Sequence, residues 1–270
     1  MLTAARPAQD RSAHWYTVEG KPLHEVPKAK GGGVRSTTLA DARKMGLLPS
    51  VSSVLKDVLT KGEGLINWRI EQAILAVTTA PPLEGESLED RIKRVLPEMD
   101  VERKMAAEKG TAIHDCMEKL LSEKDCEIPA NCQVEVTAAL NFMVKYMEDN
   151  QLHPIACEEV LVGNGYAGTV DLVLHGDKDG DRWVVLDFKT SKSGFKAADH
   201  AIQLGAYAAA WHKRVAPAEV GSIRTGNVYI STGEPGLVEL VEYDDWFRDY
   251  EAFDHLCAVW RYLKRYDPCA

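Results

Sequence analysis

The sequence predicts an α/β chain in the segregated, α+β sense: a helical N-terminal layer, then a small mixed β-sheet flanked by helices. Three observations predict it. Capped helical segments fill the chain from Pro49 to Asn150. The pattern then changes to β-branched, alternating runs between Ile155 and Lys189. A helix separates those three strands from the next one at Gly226, which gives a strand–strand–strand–helix–strand unit.

The elements follow in order. Residues 1–46 are rich in Gly, Pro and charge, including Lys28-Ala29-Lys30-Gly31-Gly32-Gly33, and read as an irregular arm with short strands near Trp15 to Val18. Lys28, Lys30, Arg35, Arg43 and Lys44 there either touch phosphate or are simply solvated. Ser50 or Ser52 caps a helix to Leu59, and Gly62 and Gly64 punctuate its end. A second helix runs from Leu65 to Val77, stopped by Pro81-Pro82. Ser87-Leu88-Glu89-Asp90 opens a third by the pattern of Ser followed three residues later by an acid. A fourth spans Val101 to Ser122 and a fifth Val134 to Asn150. Strands are expected at Ile155 to Val162, Tyr166 to Leu174 and Arg182 to Lys189, with a turn at Asp179-Gly180. A helix from His200 to Val215, strands at Gly226 to Ser231 and Val238 to Val241, and a terminal helix from Asp244-Asp245 to Tyr266 complete the chain. The expected division is an arm over 1–46, a helical layer over 47–150 and a mixed-sheet core over 151–270, together one compact domain.

Composition narrows the function classes. The chain of 270 residues is 45% hydrophobic and 27% charged, ordinary for a globular protein. No apolar run reaches the roughly eighteen residues a membrane helix needs, so no membrane partner is expected. Met1 to Asp10 lacks the apolar segment of a secretory signal, and a cytoplasmic location is expected. The six cysteines are scattered without a C-x-x-C pair, as reduced structural thiols would be. A net charge of −9 opposes a broad nucleic-acid-binding face, although a locally basic groove remains compatible with it.

The chemistry-bearing residues cluster around one hairpin. Trp183-Val184-Val185-Leu186 runs into Asp187-Phe188-Lys189, and Gly168-Thr169-Val170-Asp171 lies one hairpin earlier. Charges at the end of an apolar strand need a partner, either a metal ion or an ion pair. Two carboxylates, Asp171 and Asp187, offer hard oxygen ligands to Mg²⁺ or Mn²⁺. Lys189 lies two residues beyond Asp187, hence on the same strand face, where it could orient a water and offset phosphate charge. His114 sits in Gly110-Thr111-Ala112-Ile113-His114, at the border of a helical stripe marked by Ile113, Met117 and Leu120, either as a rim residue or as an imidazole ligand. Gln203 and Tyr207, four apart, share one helical face, either packed on the sheet or bonded to phosphate or water. Glu158 and Glu159 point to opposite sides of a strand, so only one can face a metal, and Glu158 is preferred.

The order Gly-x-x-x-His, Glu, Gly-Thr-x-Asp, Asp-x-Lys-Thr, Gln-x-x-x-Tyr resembles the RecB-like branch of the PD-(D/E)XK nuclease superfamily over residues 105–210. Leu48-Pro49-Ser50-Val51-Ser52-Ser53-Val54-Leu55 is similar to the opening of phage exonucleases and their mitochondrial genome-maintenance relatives. The resemblance implies a restriction-endonuclease-like core. It implies metal ligands at Asp171, Asp187 and His114, with Glu158 a weaker candidate, and a catalytic lysine at Lys189. Gln203 and Tyr207 would position DNA or the active site. Some relatives carry a four-cysteine iron–sulfur cluster with three cysteines after the core. Only Cys257 and Cys269 follow it here, so no cluster is expected.

The expected activity is a Mg²⁺-dependent deoxyribonuclease, an exonuclease acting on single- or double-stranded DNA ends in a phage-type recombination, repair or DNA-processing role. A recombination or single-strand-binding protein is a conceivable partner. Two other classes compete: a catalytically idle DNA-binding or assembly module, and a hydrolase of small phosphoesters. Nucleotide use is not expected, because no Gly-Lys-Ser/Thr follows Gly31-Gly32-Gly33. Asp177-Lys178-Asp179-Gly180-Asp181 fails as a calcium loop, since its glycine falls two positions early and the twelfth position is Phe188. Trp246, Phe247, Tyr250, Phe253, Leu256 and Trp260 form an aromatic stripe on the terminal helix, expected to pack on the core.

Overall fold

A computed structural model of the chain describes residues 14–59, 70–71, 74–75, 77–176, 182–192, 198–215 and 223–270. The expected charged turn at 177–181, the glycines at 62 and 64, and much of the expected helix over 65–77 lie outside the described residues. Where that helix is described, at 70–71, 74–75 and 77–79, it is helical.

The N-terminal part contains β1 (Trp15–Tyr16), β2 (Glu25–Pro27), β3 (Val34–Ser36), α1 (Leu39–Met45), β4 (Leu48–Pro49) and α2 (Val51–Val58). Composition made 14–46 look irregular and solvated, but a few apolar residues fasten it down. Trp15 and Tyr16 are buried, and the Trp15 ring sits against Trp260 and Tyr266. Thr38 and Asp41 form a reciprocal capping box at the start of α1, and Gly46 ends it in a left-handed conformation with φ 64. Arg35 forks onto Asp41 at 2.6 and 2.8 Å, and Arg43 donates to the Lys264 carbonyl. These two cations are therefore engaged within the fold, although both are exposed, as are Lys28, Lys30 and Lys44.

Two long helices follow, α3 (Leu88–Leu121) and α4 (Gln133–Asn150). Ser87 caps α3, accepting the Asp90 N–H. The sequence reads as two helices, one opening at Ser87 and one over Val101 to Ser122, yet α3 runs through Pro97 as one helix of 34 residues. A proline in a helix interior removes one backbone donor, a local cost that a long helix can absorb through its neighbours.

The central sheet has five strands in the order β5 (His153–Val162), β6 (Ala167–Gly176), β7 (Arg182–Ser191), β8 (Ile223–Ser231), β9 (Val238–Tyr243). β5, β6 and β7 form an antiparallel meander. β7 and β8 are parallel, and the connection between them carries α5 (Ala198–Val215). β9 returns antiparallel to β8, and α6 (Trp246–Lys264) closes the chain, capped by Asp245.

Strand alternation divides the apolar side chains between two faces. Val184, Leu186 and Phe188 meet Ile113, Met117, Val136 and Met143 of α3 and α4. Val173 and Val185 meet Leu204, Trp211, Phe253 and Trp260 of α5 and α6. Each such fully buried side chain contributes about 1.5–3 kcal/mol of transfer free energy. The aromatic stripe of α6 packs inward through Phe253 and Trp260, while Phe247 stays exposed. Among the described residues, no helix is long and apolar enough to cross a membrane.

Candidate active site

The site forms where β6 parts from β7. Their ladder runs from Gly176–Arg182 to Leu172–Leu186 and goes no further. Beyond it, the Phe188 N–H is taken by the carboxylate of Asp171, whose Oδ2 accepts at 2.6 Å. β7 remains paired with β8 on its other side through Ser191, so its end is held while one edge opens. Asp187 and Lys189, two apart, share the face that looks toward α5.

Lys189 is clamped there. Its Nζ lies 2.6 Å from Asp187 Oδ2 and 3.0 Å from Gln203 Oε1. Gln203 in turn donates from Nε2 to the Tyr207 hydroxyl at 3.0 Å, one turn along α5. The Gln-x-x-x-Tyr spacing thus becomes a chain of donors from ammonium to amide to phenol. Burial alone would lower the Lys189 pKa, but Asp187, the hydrogen bond to it and Asp171 outweigh burial and raise it. The ammonium is therefore a standing cation. It has three donors, of which Asp187 and Gln203 occupy two.

Glycines let the two helical layers close on this point. A Cβ on Gly168 would lie 2.8 Å from the Tyr207 ring and 3.2 Å from Val51. A Cβ on Gly110 would lie 2.7 Å from the Thr190 hydroxyl. That close approach of α3 to β7 brings in His114, one turn later. Its ring meets Phe188 edge-on at 6.1 Å, and its Nδ1 lies 3.4 Å from Asp171 Oδ2. Burial lowers the His114 pKa, against the pull of Asp187 and Asp115, and so favours the neutral imidazole that can ligate a cation.

Glu158 arrives by an unusual backbone. Its φ is 48, the left-handed region that a non-glycine residue enters at a cost of about 1–2 kcal/mol. His114, Glu158 and Asp171 then offer one ligand atom each within 4.8 Å of one another. Burial first, then Glu118, Asp115 and Asp187, push the Glu158 carboxyl up to about 7. Burial, Asp187 and Glu158 raise Asp171 well above the ordinary carboxylate range. Acids forced toward their neutral forms mark negative charge that the protein alone does not neutralise. One imidazole and two carboxylates around such a point are a donor set that fits a divalent cation.

The residues assigned to the site from sequence converge, with one difference of grouping. The compact trio is His114, Glu158 and Asp171, while Asp187 gives Oδ2 to Lys189 and Asn227. Glu159 is engaged elsewhere, paired with Arg214. Sequence reasoning missed Asn227, which donates to Asp187 Oδ2 at 2.9 Å from full burial. Its signal was present: an amide in the middle of the apolar strand Ile223–Ser231. It also missed Tyr16, whose hydroxyl lies 3.2 Å from the Thr169 Oγ1 of the Gly-Thr-x-Asp segment.

Comparison with known proteins gives a match of residues 88–267 to the family model of the PD-(D/E)XK nuclease superfamily. No curated protein matches. Among solved structures, the chain is similar to SSO0001 at 16% identity, covering 48% of this chain and 58% of that one, with a TM-score of 0.27. It is similar to an alkaline exonuclease, LHK-Exo, from Laribacter hongkongensis at 16% identity, covering 80% of this chain and 91% of that one, with a TM-score of 0.32. LHK-Exo in complex with dAMP matches at 18% identity over 55% of this chain and 82% of that one, with a TM-score of 0.28. The chain thus spans less than two thirds of SSO0001, and none of these overlaps is deep enough to transfer a function.

Proposed function

The chain belongs to the PD-(D/E)XK nuclease superfamily, and on that premise we propose that it is a metal-dependent deoxyribonuclease that hydrolyses phosphodiester bonds from DNA ends. The observation that carries the proposal is the trio His114, Glu158 and Asp171 within 4.8 Å, set beside the Asp187–Lys189 pair. These three side chains would hold the cation, with Asp187 adjoining as a fourth acid. The oxygen donors suit Mg²⁺, and the imidazole also admits Mn²⁺. When bound, such an ion supplies Lewis acidity and offsets charge that builds on the phosphate.

The protein's own groups do the rest. Lys189, fixed by Asp187 and Gln203, directs its third N–H toward the attacking water or a phosphate oxygen. As a standing cation it orients and neutralises rather than accepting a proton. Tyr207 and Gln203 keep the ammonium from swinging away. Preorganised charge of this kind is the main source of acceleration in phosphoryl chemistry. Action at ends is supported by the likeness of Leu48–Leu55 to the opening of phage exonucleases, and we place the role in cytoplasmic DNA processing of phage type.

End-labelled linear duplex and a covalently closed circle of the same sequence test the proposal. With Mg²⁺, the linear DNA should shorten from its ends and the circle should persist. Asp187→Ala and Lys189→Ala should each reduce cleavage by at least about 100-fold with near-native melting, as loss of a transition-state donor does. Native-rate cleavage by either variant contradicts the site assignment, and equal attack on the circle contradicts the exonuclease reading.

A further inference from the structure

Asp187 is held by more than its lysine. Asn227 lies on β8 directly beside it in the parallel register, so the two side chains share a face. The Asn227 amide is fully buried, and its Nδ2 lies 2.9 Å from Asp187 Oδ2 and 3.3 Å from the Asp187 carbonyl. Its Oδ1 accepts the Tyr243 hydroxyl at 2.9 Å. Tyr243 pairs with Thr225, two residues away on β8, and so stands on the same face of the sheet.

The carboxylate decides which way the amide points, and the second bond holds its far end. Rotating it by half a turn would set Oδ1 against the Asp187 carboxylate, acceptor against acceptor, and would strip both groups of a partner in a buried place. The NH₂ end therefore faces Asp187, and the Tyr243 hydroxyl, donating to Oδ1, keeps the amide from swinging off the carboxylate. Lys189 Nζ and Asn227 Nδ2 both reach the same oxygen, Oδ2. Among the described residues, no hydrogen bond is formed to Oδ1. A lysine alone would not fix the carboxylate plane, because an ammonium on a flexible stem is a point charge and the terminal torsion of Asp is broad.

We propose that Asn227 is a positioning residue for Asp187 and that Tyr243 acts through it, so that Oδ2 is anchored to the sheet and Oδ1 is the oxygen presented to cation and substrate. This rests on the site being the metal-dependent nuclease centre. Partners that orient such a side chain typically change metal affinity or activity by about 10–100-fold.

The test compares wild type, Asp187→Ala, Asn227→Ala, Tyr243→Phe and the Asn227→Ala/Tyr243→Phe double variant. Two quantities are read: Mn²⁺ affinity of the DNA-free protein by calorimetry, and kcat and KM for linear duplex cleavage. Asn227→Ala should weaken Mn²⁺ binding by about tenfold and lower kcat by about 10–100-fold, leaving KM for DNA unchanged. Tyr243→Phe keeps the ring and removes only the O–H, and it should show the same pattern more weakly. The double variant should be no worse than Asn227→Ala, since residues acting through one contact are non-additive. If Asn227→Ala does not fold, Tyr243→Phe decides alone. Wild-type affinity and kcat in the single variants, with Asp187→Ala inactive, overturn this proposal and leave the nuclease reading standing. A double variant losing the product of the single effects overturns the role of Tyr243 through Asn227. A wild type that neither binds Mn²⁺ nor cleaves DNA overturns both readings.

Discussion

Glu158 shows how a single residue trades stability for chemistry. Its backbone sits at φ 48, its carboxyl is pushed up to about 7, and its neighbours include Asp115, Glu118 and Asp187. Each feature opposes folding, and each has a use if a cation is held there. Glu158→Gly removes the strained backbone and one of the crowded charges together. Without divalent ion, the variant should be more stable than wild type by about 1 kcal/mol in chemical denaturation, and should bind Mn²⁺ more weakly. Lower stability would show that the conformation is not strained in the way its φ implies. At this scale the sequence was informative about identity and less so about role. Asp171, Asp187, Lys189, His114, Gln203 and Tyr207 all come together, because their spacing fixes strand face and helix turn. The tighter grouping of Glu158 with His114 and Asp171 was hidden, since a left-handed glutamate leaves no trace in an alternation pattern.

Among the elements, α3 positions His114 only because it can approach β7 closely. Gly110 leaves room for Thr190, and His114 follows one turn later. Gly110→Ala would favour the helix by up to about 1 kcal/mol through propensity, but it drives a methyl to 2.7 Å from the Thr190 hydroxyl. Crowding at such contacts costs about 1–3 kcal/mol, so the variant should lose stability and Mn²⁺ affinity. Adding Thr190→Ala removes the obstructing oxygen, leaving the next Thr190 atom at 3.9 Å, and should restore both. Failure of the double variant to recover would mean that the glycine serves something other than this approach. Element order was legible from caps and periodicity, including the three-strand meander and the α5 crossover. Two features were not. α3 reads as two helices because Pro97 imitates a break that neighbouring turns bridge. β1 and α1 read as parts of an arm because their apolar content is sparse, and their docking depends on partners such as Trp260 and Tyr266 that lie more than 200 positions away.

The whole molecule places chemistry at a seam. One helical layer delivers His114 from α3, the other delivers Gln203 and Tyr207 from α5, and the sheet between them supplies Glu158, Asp171, Asp187 and Lys189 from three consecutive strands. The seam exists because β7 keeps β8 as a neighbour after it has lost β6, so its charged end is rigid on one side and open on the other. Sites built on strands and helices hold their geometry better than sites on loops, which favours catalysis by preorganised charge. If the substrate is DNA, as proposed, a protein of net charge −9 needs its positive charge concentrated where the phosphate reacts. Lys189 and a bound cation supply that concentration in this account. Anomalous diffraction from crystals soaked in Mn²⁺ tests it most directly. A manganese peak is expected in contact with His114, Glu158 and Asp171, beside Asp187, and should be lost in Asp171→Ala crystals; a map without density there, or with manganese bound only elsewhere on the molecule, would rule out a cation at this seam.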